Sequence, residues 1–289
     1  MGAALRILLD VVGYRLRRLE MANLAGAVAI MVVLKLPWSD VLLRTAFGAM
    51  LNIFVYLNND YRDIALDERS PDRDRTTVSY LQMHMREAYW VQWALVMVMI
   101  AIGVLHSAGL LLALAVGGGI CWAYSKTFKR MPYVDVLSMT VWGVAMPMCG
   151  FPLDQTLGWV LALQLGLFSS VFEPIQVIRD REVDAQLGLR TTAVVMGVGP
   201  TLALARILTA AAAAYAALLL HPIAGGMIAL GLFVPWGAGH ASRFWTAIKL
   251  IFGCAWLFAC ASTYLGDGSS GLWVQVALDD TFSTPGGLR

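Results

Sequence analysis

The sequence predicts an all-α, polytopic membrane protein, and two observations carry that prediction. Of its 289 residues, 59% are hydrophobic and only 14% are charged, against about 25% charged in an ordinary soluble domain. Apolar stretches near membrane-crossing length then recur nine times between residues 19 and 265. The mean hydropathy is +0.69. Helices are expected rather than strands because the runs are long and continuous, whereas a barrel strand would alternate over about ten residues. The same figures exclude a disordered chain, a coiled coil and a nucleic-acid module. The net charge of +2 says nothing about partners by itself.

In chain order, residues 1–18 carry an apolar LRILLDVVGYRL pattern followed by Arg15, Arg17 and Arg18. No small-residue cleavage site follows a short apolar core, so an interfacial amphipathic helix is expected there. A helix needs about 20 mostly apolar residues to cross the hydrocarbon. The expected spans are 19–37, 40–58, 87–105, 108–126, 133–151, 156–178, 199–220, 222–238 and 244–265, the eighth short and carrying Pro235. Together 19–265 form one transmembrane domain, and 266–289 form an extracytoplasmic tail. Cys121, Cys149, Cys254 and Cys260 lie in apolar stretches, which argues for no disulfide framework and no metal clip.

The positive-inside rule orients the chain. Arg6, Arg15, Arg17 and Arg18 precede the first span. Arg62, Arg69, Arg73, Arg75 and Arg86 lie between the second and third. Lys126, Lys129 and Arg130 lie between the fourth and fifth, Arg179, Arg181 and Arg190 between the sixth and seventh, and Arg243 before the ninth. The other side has only Lys35, Arg44 and Arg289. The N-terminus and these loops are therefore expected in the cytoplasm, and the C-terminus outside the cell membrane. His106, His221 and His240 show no metal-ligand spacing and are expected at the membrane surface.

Chemistry is expected in the two charged inner loops, 58–87 and 179–198. The first opens with Asn59-Asp60-Tyr61-Arg62-Asp63-Ile64-Ala65-Leu66-Asp67, whose carboxylates fall at i, i+3 and i+7, one face of a helix. Acids so close repel one another, and a hard divalent cation is their natural partner. The second has Asp180 and Asp184 at i, i+4, with Gln176 and the intramembrane acid Glu173 on the same face and Pro174 expected to loosen the helix. The third piece is Tyr124-Ser125-Lys126-Thr127-Phe128-Lys129-Arg130. Two acidic clusters and a cationic one on the same side imply a diphosphate site, with acids on Mg²⁺ and Lys126, Lys129, Arg130, Arg73, Arg75 and Arg179 on phosphate oxygens. Aromatic candidates to shield a carbocation are Phe54, Tyr56, Trp122, Tyr124, Phe168 and Phe172. Gly117-Gly118-Gly119 lies inside a span and suits close helix packing.

The pattern N-D-x-x-D-x-x-x-D over Asn59–Asp67 resembles the first signature of the UbiA superfamily of intramembrane prenyltransferases. Asp180–Asp184, followed by Gly188 and Thr191, resembles the second, and Tyr124–Arg130 resembles the Tyr/Lys loop. Tyr80 stands where the family usually has Gly. The resemblance implies a helical bundle with cytoplasmic cap loops over a lipid-accessible cavity. It implies Mg²⁺ held by Asn59, Asp60, Asp63, Asp67, Asp180 and Asp184, and an isoprenoid diphosphate also met by Tyr124. The prenyl group would pass to an aromatic or quinone-type acceptor, with Glu173, His84 or a spare Asp as base and with Asn23 and Arg18 as acceptor-binding candidates. The alternatives are a terpene cyclase on the same fold and a non-catalytic cation-binding transporter or scaffold.

Overall fold

The computed structural model describes residues 2–18, 20–68, 73–236 and 241–266. Arg69, His240 and the tail from 267, with Arg289, lie outside the described residues. Every regular element among the described residues is helical. The helices are α1 (Ala3–Arg17), α2 (Ala22–Val33), α3 (Trp38–Arg62), α4 (Ile64–Asp67), α5 (Arg75–Met83), α6 (Met85–His106) and α7 (Ala108–Lys126). They continue as α8 (Val134–Gly150), α9 (Thr156–Gln186), α10 (Thr192–Met196), α11 (Val198–Leu220), α12 (Pro222–Phe233) and α13 (Ala241–Leu265).

Each of the nine expected spans contains a helix, but the lengths differ. Among the described residues six helices, α3, α6, α7, α9, α11 and α13, are long and apolar enough to cross a bilayer. The other three, α2, α8 and α12, are shorter. The 12 residues of α2 reach only about 18 Å at 1.5 Å per residue. It stops there because Lys35, at φ 53°, turns the chain before Pro37.

The helices pack in sequence as a ring. α3 lies against α6 and α7, α8 against α9, α9 against α11, and α12 against α13. α13 returns to α2, so the last helix meets the first of the ring. The core includes Met31, Phe47, Leu51, Met146, Phe151 and Leu161, all fully buried. Close helix contacts rest on missing side chains. A Cβ on Gly143 would lie 3.0 Å from the backbone of Gly166, and one on Gly150 would lie 2.7 Å from the carbonyl of Ala27. Gly117 leaves room for the Trp142 ring at a π-helical turn of α7, over Leu114–Gly118. α9 continues through Pro174.

α1 docks at the end that carries the acidic motifs. Its Ile7 and Val11 join Leu57, Leu81 and Ala88 in a second small core, while Leu5, Leu9 and Leu16 remain exposed on another face. At the far end, Arg44 is buried and reaches Asp40 at 2.9 Å and the carbonyls of Cys149 and Phe151. His221 is also buried rather than at the surface. Its Nδ1 accepts from the Ile223 N–H at 3.1 Å and so caps α12.

Candidate active site

A cavity of about 560 Å³ opens at the α1 end of the ring, where both acidic motifs meet. α3 carries Asn59 to the cavity wall and ends at Arg62. The backbone leaves helical geometry at Asp63, with φ −100° and ψ 14°. That break corrects the expectation of one carboxylate face. Asp63 and Asp67 line the cavity, but Asp60 points away from it into two guanidinium groups, those of Arg15 and Arg73. On α9 the i, i+4 spacing holds, and Gln176, Asp180 and Asp184 all line the cavity.

Cations sit among these acids. Lys129 donates to Asp63 at 2.7 Å, Arg73 approaches Asp67 at 3.0 Å, and Arg179 pairs with Asp180 at 2.9 Å. Burial, helped by Asp60 and Asp63 and opposed by Arg73, pushes the Asp67 carboxyl up to about 6. Burial pulls the Lys129 ammonium down, but Asp63 overcomes that and holds it above the usual lysine range. Arg75, Lys126 and Arg130, expected at the diphosphate, are exposed and outside the cavity. Arg75 opens α5, where Asp74 caps the helix by accepting from the Thr76 N–H at 3.0 Å. Lys126 lies over the exposed Trp122 ring at 4.7 Å.

Glu173 is buried but does not line the cavity. It accepts a 2.7 Å hydrogen bond from Tyr124, whose ring does line it. The aromatic wall includes Tyr56, Phe168 and Phe172, whereas Phe54 packs behind Gly118 and Trp122 faces outward. Trp142, Trp245, Phe252 and Trp256 complete the wall. They were hidden among many packing aromatics, because no spacing rule separates a cavity face from a lipid face on an all-apolar helix. Phe172 meets Trp245 at 4.9 Å and Phe252 at 5.7 Å.

Polar groups absent from the motifs also enter. Arg15, Arg18, Glu20 and Asn23 come from the α1–α2 region, and Lys249 comes from α13. Arg15 and Arg18 lower the Glu20 carboxyl against the opposing effect of burial, donating to it at 2.6 and 2.9 Å. Lys249 donates to the Arg18 carbonyl at 3.1 Å. The Trp256 indole N–H is buried without a hydrogen-bond partner.

A further clasp ties the start of α10, just after the second motif, to the start of α8. Fully buried Asp135 accepts from the Thr192 N–H at 2.7 Å and from its hydroxyl, and Thr192 accepts from the Tyr133 N–H. Asp135 carried no sequence signal, being a lone acid at the start of an apolar helix.

Carboxylates are hard oxygen donors of the kind Mg²⁺ prefers. Among the described residues no three His, Cys, Asp or Glu side chains stand close enough to form a cage. Mg²⁺ bound with phosphate needs only one or two carboxylates, so the acids present fit it.

The chain is 32% identical to a 4-hydroxybenzoate octaprenyltransferase of Xanthomonas campestris pv. campestris over 149 residues, 48% of this chain and 47% of that protein. The chain thus spans about half the length of such relatives. A UbiA homolog from Archaeoglobus fulgidus bound to GPP and Mg²⁺ superposes with a TM-score of 0.65 at 17% identity, covering 91% of this chain and 99% of the other. A structure described under digeranylgeranylglyceryl phosphate synthase in membranes gives a TM-score of 0.69 at 14% identity, covering 91% and 99%. Residues 22–271 match the UbiA prenyltransferase family, and the chain belongs to that family.

Proposed function

We propose that the protein is a Mg²⁺-dependent intramembrane prenyltransferase. It binds an isoprenoid diphosphate, breaks the bond between the first prenyl carbon and the diphosphate oxygen, and joins that carbon to an aromatic acceptor. The observation that carries this reading is the meeting of Asp63, Asp67, Asp180, Asp184 and Lys129 with an aromatic wall in one cavity.

Asn59, Asp63 and Asp67 from the first motif and Asp180 and Asp184 from the second are oxygen donors of the cavity, of which one or two carboxylates would hold Mg²⁺ together with diphosphate oxygens. Bound there, Mg²⁺ would neutralise charge on the leaving diphosphate. Lys129, Arg73 and Arg179 add fixed positive charge where diphosphate oxygens would lie. Phe168, Phe172, Trp245 and Phe252 exclude water from the allylic cation, and each ring face can stabilise it by about 0.5–2 kcal/mol. The ring carbon of the acceptor forms the new bond, and the ring proton leaves to a base or water.

An acceptor is supported by the polar groups that share the cavity. Asn23, Arg18, Lys249 and the unpaired Trp256 N–H offer hydrogen bonds that a bare hydrocarbon chain would not use. The relatives named for 4-hydroxybenzoate suggest an aromatic acid as the class. The end of the bundle bearing the motifs is assigned to the cytoplasm, as the positive charges there favour.

The test supplies the purified protein with Mg²⁺ and prenyl diphosphates of several chain lengths, with and without hydroxybenzoic acids. A prenylated acid formed only when acceptor is present is expected. A cyclic hydrocarbon or terpene alcohol formed without acceptor would establish a cyclase instead.

A further inference from the structure

Asp60 lies at the centre of a chain of alternating charge. Glu20 holds Arg15 at 2.6 Å, Arg15 and Arg73 both donate to the same Oδ1 of Asp60, and Arg73 continues to Asp67 at 3.0 Å. Arg18 adds a second cation on Glu20 at 2.9 Å, so three carboxylates face three guanidiniums. The side chains at the centre are the most buried, with Asp60 at 8% and Arg15 at 9% exposure, against 21% for Glu20. Glu20, Arg15, Arg73 and Asp67 line the cavity, while Asp60 stands behind them. The Arg15 Nε is buried with no hydrogen-bond partner.

This network joins three separate pieces of chain. Arg15 is the last buried residue of α1, Asp60 belongs to α3, and Arg73 belongs to the loop before α5. A single carboxylate holding two guanidiniums fixes their separation, so moving either one changes the position of the other. Within the network the charges balance, but Arg15 and Arg73 both line the cavity, and a guanidinium fork there suits phosphate oxygens in particular.

We propose that Arg15 is a positioning residue for diphosphate binding, which holds Arg73 at the cavity through their shared Asp60 and docks α1 as the cavity roof. The inference rests on reading the cavity as a diphosphate site. Linkage then requires the reverse effect: diphosphate in the cavity must hold α1 more firmly in place.

The test uses the full-length protein in lipid nanodiscs. Trypsin cleavage after Arg17 and Arg18 reports release of α1, with and without Mg²⁺ and inorganic diphosphate, and diphosphate binding is measured separately by calorimetry. In the unaltered protein diphosphate is expected to slow cleavage about tenfold. R15A is expected to be cut fast with or without it, and R15K, which keeps the charge but loses the fork, to fall between. In turnover R15A is expected to raise KM for the prenyl diphosphate about tenfold while kcat changes less than about threefold, a split that a general loss of folded protein does not give. Should R15A not fold, E20Q removes only the outer partner of Arg15 and is expected to lose part of the protection. Undiminished protection in R15A, or in E20Q if R15A is lost, overturns the inference and leaves the diphosphate site standing. Failure of the unaltered protein to bind diphosphate overturns both.

Discussion

Tyr124 and Glu173 show how one hydrogen bond links a buried acid to the cavity wall. An acid inside a membrane helix reads from sequence as a catalytic candidate, yet Glu173 reaches the cavity only through the Tyr124 hydroxyl. Tyr124→Phe leaves Glu173 buried without that donor and is expected to cost about 1–3 kcal/mol. Glu173→Gln keeps an acceptor for the hydroxyl and is expected to cost less. Thermal unfolding of both variants in detergent checks the order. Asp67 offers a pH test. In the metal-free protein burial raises its carboxyl from 3.8 to about 6, so the folded state binds a proton that the unfolded state has released. Stability of the metal-free protein is therefore expected to fall as pH rises from about 4 to about 6, because the folded state must then ionise a buried acid. Asp67→Asn is expected to flatten that part of the Tm profile. A profile unchanged by the substitution would exclude Asp67 as its source.

At the scale of elements, glycines separate packing from cavity. Gly150 meets a backbone carbonyl of α2 that no rotamer change can move. Gly150→Ala is expected to destabilise by about 1–3 kcal/mol through forced separation of α2 and α8. Gly253 lines the cavity with open space where a Cβ would stand, so Gly253→Ala is expected to hold or slightly raise Tm, since Ala also suits the helix better. Equal losses in the two variants would contradict this division. The second acidic motif was legible because α9 continues unbroken past Asp184, so spacing in sequence became spacing on a face. The first was legible as a charged cluster but not as geometry. The helix ends at Arg62, and nothing in Asn59–Asp67 is a strong breaker of the Gly or Pro kind. Asp60 therefore turned to arginines that lie 45 and 13 residues away in sequence.

For the whole molecule, helical class, the order of apolar segments and the collection of charge at one end were readable because the bilayer forces long apolar runs and loop charges stand out against them. The number of full crossings was less readable. α2, α8 and α12 are apolar enough to look like spans, yet they are short; α2 ends at Val33, just before Lys35 turns the chain, and α12 ends at Phe233, short of the expected 238. Arg75, Lys126 and Arg130 were grouped with the site by loop position and, for the last two, by resemblance to the Tyr/Lys loop; here they are exposed and outside the cavity lining. Arg15 and Glu20 reach the cavity from the α1–α2 region and Lys249 from within α13, none of which carries a motif. The central claim is that both acidic motifs serve one diphosphate-cleaving site, and its most direct test is Mg²⁺-dependent release of diphosphate from a prenyl diphosphate in the presence of an aromatic acceptor. The unaltered protein is expected to release diphosphate in step with prenylated product, and Asp63→Ala and Asp180→Ala are each expected to lower the rate by at least about a hundredfold. Release that survives either substitution, or no release from the unaltered protein with any donor, would contradict the claim.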